Sequence, residues 1–168
     1  MPKNLELKIC CSSFSKLKKS LKKIKAEFIA ELIQKDIYYK TAKGLLKLRI
    51  ENGEQSLIKY SRDEKGRERW SDYHVLKLNY GDAEEFFKNI FDFETVVEKK
   101  RLLYIFDNTR IHLDDIKGLG KFLELETLVL NGLNDAKKRF NTIIILLNLD
   151  IKNQIRKSYK ILVDENRK

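Results

Sequence analysis

The residues that could do chemistry in this chain stand two apart. Glu6 precedes Lys8, Lys47 precedes Arg49, Lys99 precedes Arg101, Glu124 precedes Glu126, and Arg110, His112 and Asp114 form a triplet at the same spacing. Residues two apart on a strand point to the same side, roughly 7 Å from one another. A half-buried sheet has one apolar face and one of mixed polar types; here the polar face is loaded with charge. Any one pair reads as an ordinary solvated face. Glu124 and Glu126 fit that reading less well, because two like charges on one face repel and solubility does not ask for Phe122-Leu123-Glu124-Leu125-Glu126. If the sheet closes into a barrel, its polar face becomes a lumen. Lysines and arginines in a lumen need an anion, because an unpaired charge at low dielectric is costly. Polyphosphate suits them, since both side chains meet its oxygens with charge-assisted hydrogen bonds. Carboxylates in the same cavity then suit a hard divalent cation, which takes oxygen ligands and bridges to phosphate.

The elements that must position these charges follow from periodicity. Residues 4–11 alternate as a strand, with Leu5, Leu7 and Ile9 on one face. Phe14, Leu17, Leu21 and Ile24 predict an amphipathic helix over 13–26, with Ser12 or Ser13 as N-cap. Residues 27–40, apolar and aromatic, predict a strand. Strands are also expected around Leu46–Ile50, over 57–62 and 69–78, and over 95–106, 109–114 and 122–130. Asn52-Gly53 marks a hairpin, because it tolerates positive φ at both positions. Helices are predicted over 82–91 with Asp82 as cap, over 134–147, and near 152–163. Many consecutive strands joined by tight turns, with helices inserted between them, predict an α+β domain on an antiparallel sheet. No Pro/Gly/Ser-rich linker divides the 168 residues, so residues 1–168 read as one domain.

Composition narrows the partners. Apolar residues make up 42% of the chain, which excludes a disordered one. The formal net charge of +10 implies an anionic partner: nucleic acid, anionic lipid or a phosphorylated small molecule. The lysine run from Lys16 to Lys25 reads as a solvated helix face. The apolar run Ile143–Leu147 is far too short to span a bilayer, and the start, with Glu6 and Lys8 inside its apolar stretch, does not read as a signal peptide. Adjacent Cys10 and Cys11 match neither a disulfide framework nor a zinc site, so a reduced, cytoplasmic protein is expected. His112 is a lone histidine and reads as a polar lumen or rim residue rather than a ligand. His74 has no partner motif. Trp70 and the Tyr38-Tyr39 pair are of a type that stacks on a base, although strand aromatics more often pack.

In order along the chain, Asn4-Leu5-Glu6-Leu7-Lys8, Lys47-Leu48-Arg49, Leu57 to Arg62, Lys99-Lys100-Arg101, Arg110-Ile111-His112-Leu113-Asp114, Gly118-Leu119-Gly120 and Glu124-Leu125-Glu126, with Ile155 to Tyr159 near the end, resemble the CYTH family. That family takes in class IV adenylyl cyclases and thiamine triphosphatases, the triphosphate tunnel metalloenzymes. The resemblance covers nearly the whole chain, and the stretch Arg110–Glu126 looks closest to the class IV cyclase branch. The family's opening motif is Glu-x-Glu-x-Lys; here its first acidic position is Asn4.

The resemblance implies a closed eight-stranded antiparallel β-barrel, a triphosphate tunnel, with helices packed outside. By the same match Lys8, Lys47, Arg49, Arg62, Lys99, Arg101 and Arg110 grip the triphosphate, while Glu6, Glu124 and Glu126 hold Mg²⁺ or Mn²⁺, with Asp114 as a further metal candidate. Lys59 is out of phase with Arg62, so at most one of them faces the lumen and Arg62 is favoured; the facing of Arg69 stays open. Lys8, crowded by other cations, is the candidate to help deprotonate the nucleophile. The expected partner is a triphosphate-bearing small molecule, neither a membrane nor nucleic acid, and a homodimer is compatible with it. The expected reaction is conversion of ATP to cyclic AMP and pyrophosphate, or hydrolysis of an inorganic, nucleoside or thiamine triphosphate. A non-catalytic polyanion-, RNA- or nucleotide-binding protein is the alternative of another class. It explains the charge equally well but not the acids on the same face as the cations.

Overall fold

The computed structural model describes residues 3–62 and 70–167, with only the backbone of residues 61, 62, 70 and 71. Its eight strands are β1 (Lys3–Cys11), β2 (Glu27–Tyr39), β3 (Leu45–Glu51), β4 (Glu54–Arg62), β5 (Trp70–Leu78), β6 (Phe93–Phe106), β7 (Thr109–Ile116) and β8 (Gly120–Leu128). They close into a barrel in the order β1-β5-β4-β3-β2-β6-β7-β8, every neighbour antiparallel. Tight turns set the hairpin registers. Asn52 and Gly53 (φ 48° and 90°) join β3 to β4, and Asp107 and Asn108 (φ 45° and 54°) join β6 to β7. Positive φ at both central residues gives a turn whose twist matches the strands it connects.

The alternation in the sequence becomes two concentric faces. Outward-pointing Leu7, Ile111, Leu113, Leu123 and Leu125 form one core with Leu21 of α1 (Ser15–Lys23) and with Ile143 and Leu147, which belong to α3 (Leu133–Leu146) and its C-cap. The opposite outer wall packs Ile37, Tyr39 and Leu48 against Ala83 of α2 (Ala83–Lys88). Each such buried aliphatic side chain contributes about 2 kcal/mol. The lysines of α1 are exposed, as their face of the amphipathic pattern requires. No helix among the described residues is long and apolar enough to cross a membrane.

A third cluster lies inside the barrel. Val97, Ile116 and Phe122, which share the lumen phase of their strands, pack on Tyr159 and Val163 of α4 (Tyr159–Asn166). The last helix therefore stops one end of the barrel. This differs from the single helix expected near 152–163. The segment instead makes a 3-10 turn at Ile151–Asn153 and runs extended beside β1, with Gln154 bridged to Ile9 and the Ile155 N–H donating to the Lys8 carbonyl at 2.8 Å. Ser158 then caps α4, its Oγ accepting from the Ile161 N–H. Backbone pairing to a distant strand overrides the local helical pattern. The first helix also begins later than expected, behind Phe14, and the Ser13 hydroxyl accepts from the Ser15 N–H instead of capping.

Candidate active site

The remaining lumen is a cavity of about 330 Å³, with Tyr159 of α4 among its lining residues. The inward positions of neighbouring strands face one another across the ladders: Glu6 opposite Glu126, Lys8 opposite Glu124, Arg110 opposite Glu126, His112 opposite Glu124, Asp36 opposite Arg49 and Arg101 opposite Asp114. Of the residues singled out by sequence, Lys8, Lys47, Arg49, Lys99, Arg101, Arg110, Glu6, Glu124 and Glu126 all line this one cavity. Lys59 is exposed on the outer face. Arg62 ends β4, but its side chain and the whole of Arg69 lie outside the described residues, as does the side chain of Trp70.

Two carboxylates organise the cations, and only one of them was singled out by sequence. Asp36, fully buried on β2, accepts from Arg49 Nε at 2.7 Å and Nη2 at 2.8 Å, and from Lys47 Nζ at 2.8 Å; Lys99 Nζ stands 3.4 Å away. Burial alone would raise the Asp36 pKa, but Arg49, Lys47 and Lys99 outweigh it and hold the carboxyl well below its usual range. The lysines pay for the crowding: burial and then Arg49 push Lys47 well down, and burial and then Arg101 lower Lys99. Asp114 plays the same part for Arg101, accepting from Nε and Nη2 at 2.6 Å each and from the Tyr159 hydroxyl at 2.8 Å. Both its oxygens are thus engaged behind the cavity wall, which leaves it a support for Arg101 rather than one of the converging metal-type donors.

Those donors are on β7 and β8, and Glu6 of β1 lines the same cavity outside their cluster. His112, Glu124 and Glu126 each bring one ligand-type atom within 4.8 Å of the others. Glu124 also accepts from Arg101 at 2.9 Å, and Arg110 sits 2.8 Å from Glu126. Burial opposes the ionisation of Glu126, but the cations beside it, Arg110 foremost, overcome it and its pKa is lowered. Burial, then Arg101, lower the pKa of His112, so its imidazole is neutral at pH 7. Asn4, at the position where the resemblance expects an acid, lines the same cavity, and its buried Oδ1 has no hydrogen-bond partner among the described residues. Converging carboxylates beside neutral oxygen and nitrogen donors fit a divalent cation. Lys8 uses its Nζ as a donor, to the Lys157 carbonyl at 3.0 Å, 3.7 Å from Glu124 and 3.8 Å above the Tyr159 ring.

The cavity has a second kind of wall. Ile58, Tyr60, Tyr73 and Val75, on β4 and β5, carry no charge, and Leu32 and Leu103 continue the apolar side. Of the tyrosine pair, Tyr38 lines the cavity, whereas Tyr39 points out and packs on Phe87 and Phe91. Sequence reasoning missed Asp36, Tyr159 and this wall. The signal for Asp36 was present: Gln34, Asp36 and Tyr38 stand two apart like the recognised pairs.

The structure is thus a closed antiparallel barrel with cations and carboxylates turned into its lumen. The CYTH domain profile matches residues 2–159, and the chain belongs to that family. A protein of Methanocaldococcus jannaschii described as a candidate adenylate cyclase is 28% identical over 92% of this chain and 95% of its own length. Among solved structures, a Pyrococcus horikoshii protein superposes with a TM-score of 0.79 at 23% identity, covering 95% of this chain and 98% of that one. A Hippeastrum protein, described as a candidate adenylyl cyclase with a dominant triphosphatase activity, superposes with a TM-score of 0.68 at 13% identity over 100% and 97% of the two chains.

Proposed function

We propose that the tunnel binds an organic triphosphate together with Mg²⁺ or Mn²⁺ and transfers its phosphorus, as a class IV adenylyl cyclase-like enzyme or as a triphosphatase. The observation that carries this reading is charge balance. Six cations (Lys8, Lys47, Arg49, Lys99, Arg101, Arg110) and four carboxylates (Glu6, Glu51, Glu124, Glu126) line the cavity, with Asp36 and Asp114 behind it, so the two signs cancel among the described residues. A divalent ion at the acidic side leaves a net positive charge, which offsets about half of the charge of a fully ionised nucleoside triphosphate. A pure anion groove has no use for Glu6, Glu124 and Glu126, because acids there cost affinity.

In this reading Lys47, Arg49 and Lys99 grip one end of the phosphate chain. Asp36 fixes their positions, which spares the substrate the entropy of ordering three long side chains. Arg101, locked by Asp114, and Lys8 neutralise charge that builds on the leaving oxygens. The donor geometry of Lys8 suits this grip better than proton removal. The apolar wall of Ile58, Tyr60, Tyr73 and Val75 takes the organic part. Glu6, Glu124 and Glu126 hold the ion, with Asp114 supporting Arg101. When bound, the metal neutralises phosphate oxygens and activates the attacking hydroxyl or water.

The family relatives named for cyclase and triphosphatase activities make both reactions candidates. In cyclisation the ribose 3′-hydroxyl oxygen bonds to the α-phosphorus and pyrophosphate leaves. In hydrolysis water attacks the terminal phosphorus and orthophosphate leaves. Incubation with ATP, inorganic triphosphate and thiamine triphosphate, with Mg²⁺, Mn²⁺ or chelator and with a Glu126→Gln control, followed by chromatography, tests the reading. Metal-dependent cyclic AMP with pyrophosphate identifies a cyclase, and orthophosphate a triphosphatase. No turnover of any of them sinks the enzyme reading.

A further inference from the structure

We propose that His112 is itself a metal ligand, making the ion site a mixed nitrogen and oxygen site that prefers Mn²⁺-class ions to Mg²⁺. The inference rests on the reading that a divalent ion binds at Glu124 and Glu126. His112 is 3% exposed, and its Nδ1 is buried with no hydrogen-bond partner among the described residues. A buried ring nitrogen left unpaired costs free energy, and native sites rarely leave one without a purpose. The nearest carboxylate oxygens are Glu124 Oε2 at 3.9 Å and Glu126 Oε1 at 3.8 Å. Both are too far for a hydrogen bond. Ligand atoms sharing one ion at roughly 2.1 Å stand roughly 3–3.5 Å from one another, so a small inward shift of these three atoms encloses an ion.

The neighbouring groups leave that place to a cation. Arg101 is held on Asp114 and reaches Glu124 Oε2, Arg110 engages Glu126 through Oε2, and Glu126 Oε1 faces His112. The carriers are adjacent inward positions of β7 and β8, with His112 and Glu124 directly opposite across the ladder, so the backbone fixes their spacing. Imidazole nitrogen suits first-row transition ions such as zinc and iron; Mn²⁺, the weakest binder of that series, still accepts a nitrogen ligand more readily than magnesium, which favours an all-oxygen shell. A lone histidine in sequence reads as a rim residue because the two glutamates that complete the site come from the next strand.

The test uses the untagged full chain with Mn²⁺ alone, read by pulsed electron paramagnetic resonance rather than by activity. The chain has two histidines, and the other, His74, is exposed. The expected result is a directly coupled ¹⁴N modulation on bound Mn²⁺ that changes to the ¹⁵N pattern when histidine is selectively labelled, and that persists in His74→Gln. In His112→Gln the modulation disappears and Mn²⁺ affinity falls about tenfold or more, with Mg²⁺ affinity little changed. Bound Mn²⁺ without nitrogen modulation in the native protein overturns the proposal while leaving a carboxylate metal site intact. No Mn²⁺ binding by the native protein overturns both the proposal and the metal-dependent function it rests on. The labelling result stands even if His112→Gln does not fold.

Discussion

Arg49 donates to both oxygens of Asp36, its direct cross-strand partner, with Nε to Oδ1 at 2.7 Å and Nη2 to Oδ2 at 2.8 Å. The pair is the hub of a buried cluster to which Lys47 and Lys99 also turn. One carboxylate therefore holds three cations in place within the barrel lumen.

Replacing that hub has a large expected cost. Asp36→Asn keeps the shape and removes the charge, leaving Lys47, Arg49 and Lys99 buried and mutually repelling. Breaking a buried ion cluster by removing one partner costs about 3 kcal/mol. Urea unfolding at neutral pH should show a loss of this size; an unchanged midpoint would show that the cluster relaxes into solvent and does not organise the site.

The same cluster sets a pH response. The pKa values of Lys47 and Lys99 are depressed in the folded chain, so their charges are lost at a pH below the ordinary lysine range. Triphosphate affinity should then decline as pH rises through those depressed values. Because Asp36 raises both lysines, the decline should move to lower pH in Asp36→Asn. Both depressions make stability rise with pH, each in its own window. In the window between a depressed lysine value and its unfolded value of about 10.5, the unfolded chain binds more protons, so stability rises with pH there. Asp36, depressed, contributes stability above about pH 3.9 that is lost as pH falls through its folded value. Calorimetric affinity measured from neutral to alkaline pH checks the first claim; a flat profile up to the ordinary lysine range would contradict it.

Much of this was legible in the sequence because strand parity alone decides which side chains share a face. Lys47 with Arg49, Lys99 with Arg101 and Glu124 with Glu126 reach the lumen for that reason. Closure was not legible from alternation, since an open sheet alternates in the same way; the β1–β5 and β1–β8 pairings join strands far apart in the chain. Asp36 was hidden because Ile37, Tyr38 and Tyr39 made its segment look like a packing strand. Tyr159 was hidden because its place depends on residues 154–158 running beside β1 before α4 enters the barrel.

Tyr159→Phe isolates that entry. Its hydroxyl donates to Asp114, which positions Arg101, and losing one such hydrogen bond to a charged group costs about 1.5 kcal/mol. If Arg101 acts on the reacting phosphate, kcat/KM should fall about tenfold with the fold intact. Unchanged steady-state kinetics would remove Arg101 positioning from the account.

The uncharged wall gives a substrate prediction. Tyr73→Ala should raise KM for a nucleoside triphosphate about tenfold, the worth of one lost stacking contact, while leaving inorganic triphosphate nearly unaffected. Equal effects on both would mean the wall does not touch the organic group.

The central claim is that metal and triphosphate occupy this tunnel together. Calorimetric titration of an ATP analogue with a non-hydrolysable methylene bridge, with Mn²⁺ and with chelator, tests it most directly. The expected result is binding that tightens at least about tenfold with Mn²⁺, and Mn²⁺ binding that tightens by the same factor with the analogue, because the coupling is reciprocal. Binding of the analogue that ignores the metal, or no binding at all, would contradict the account.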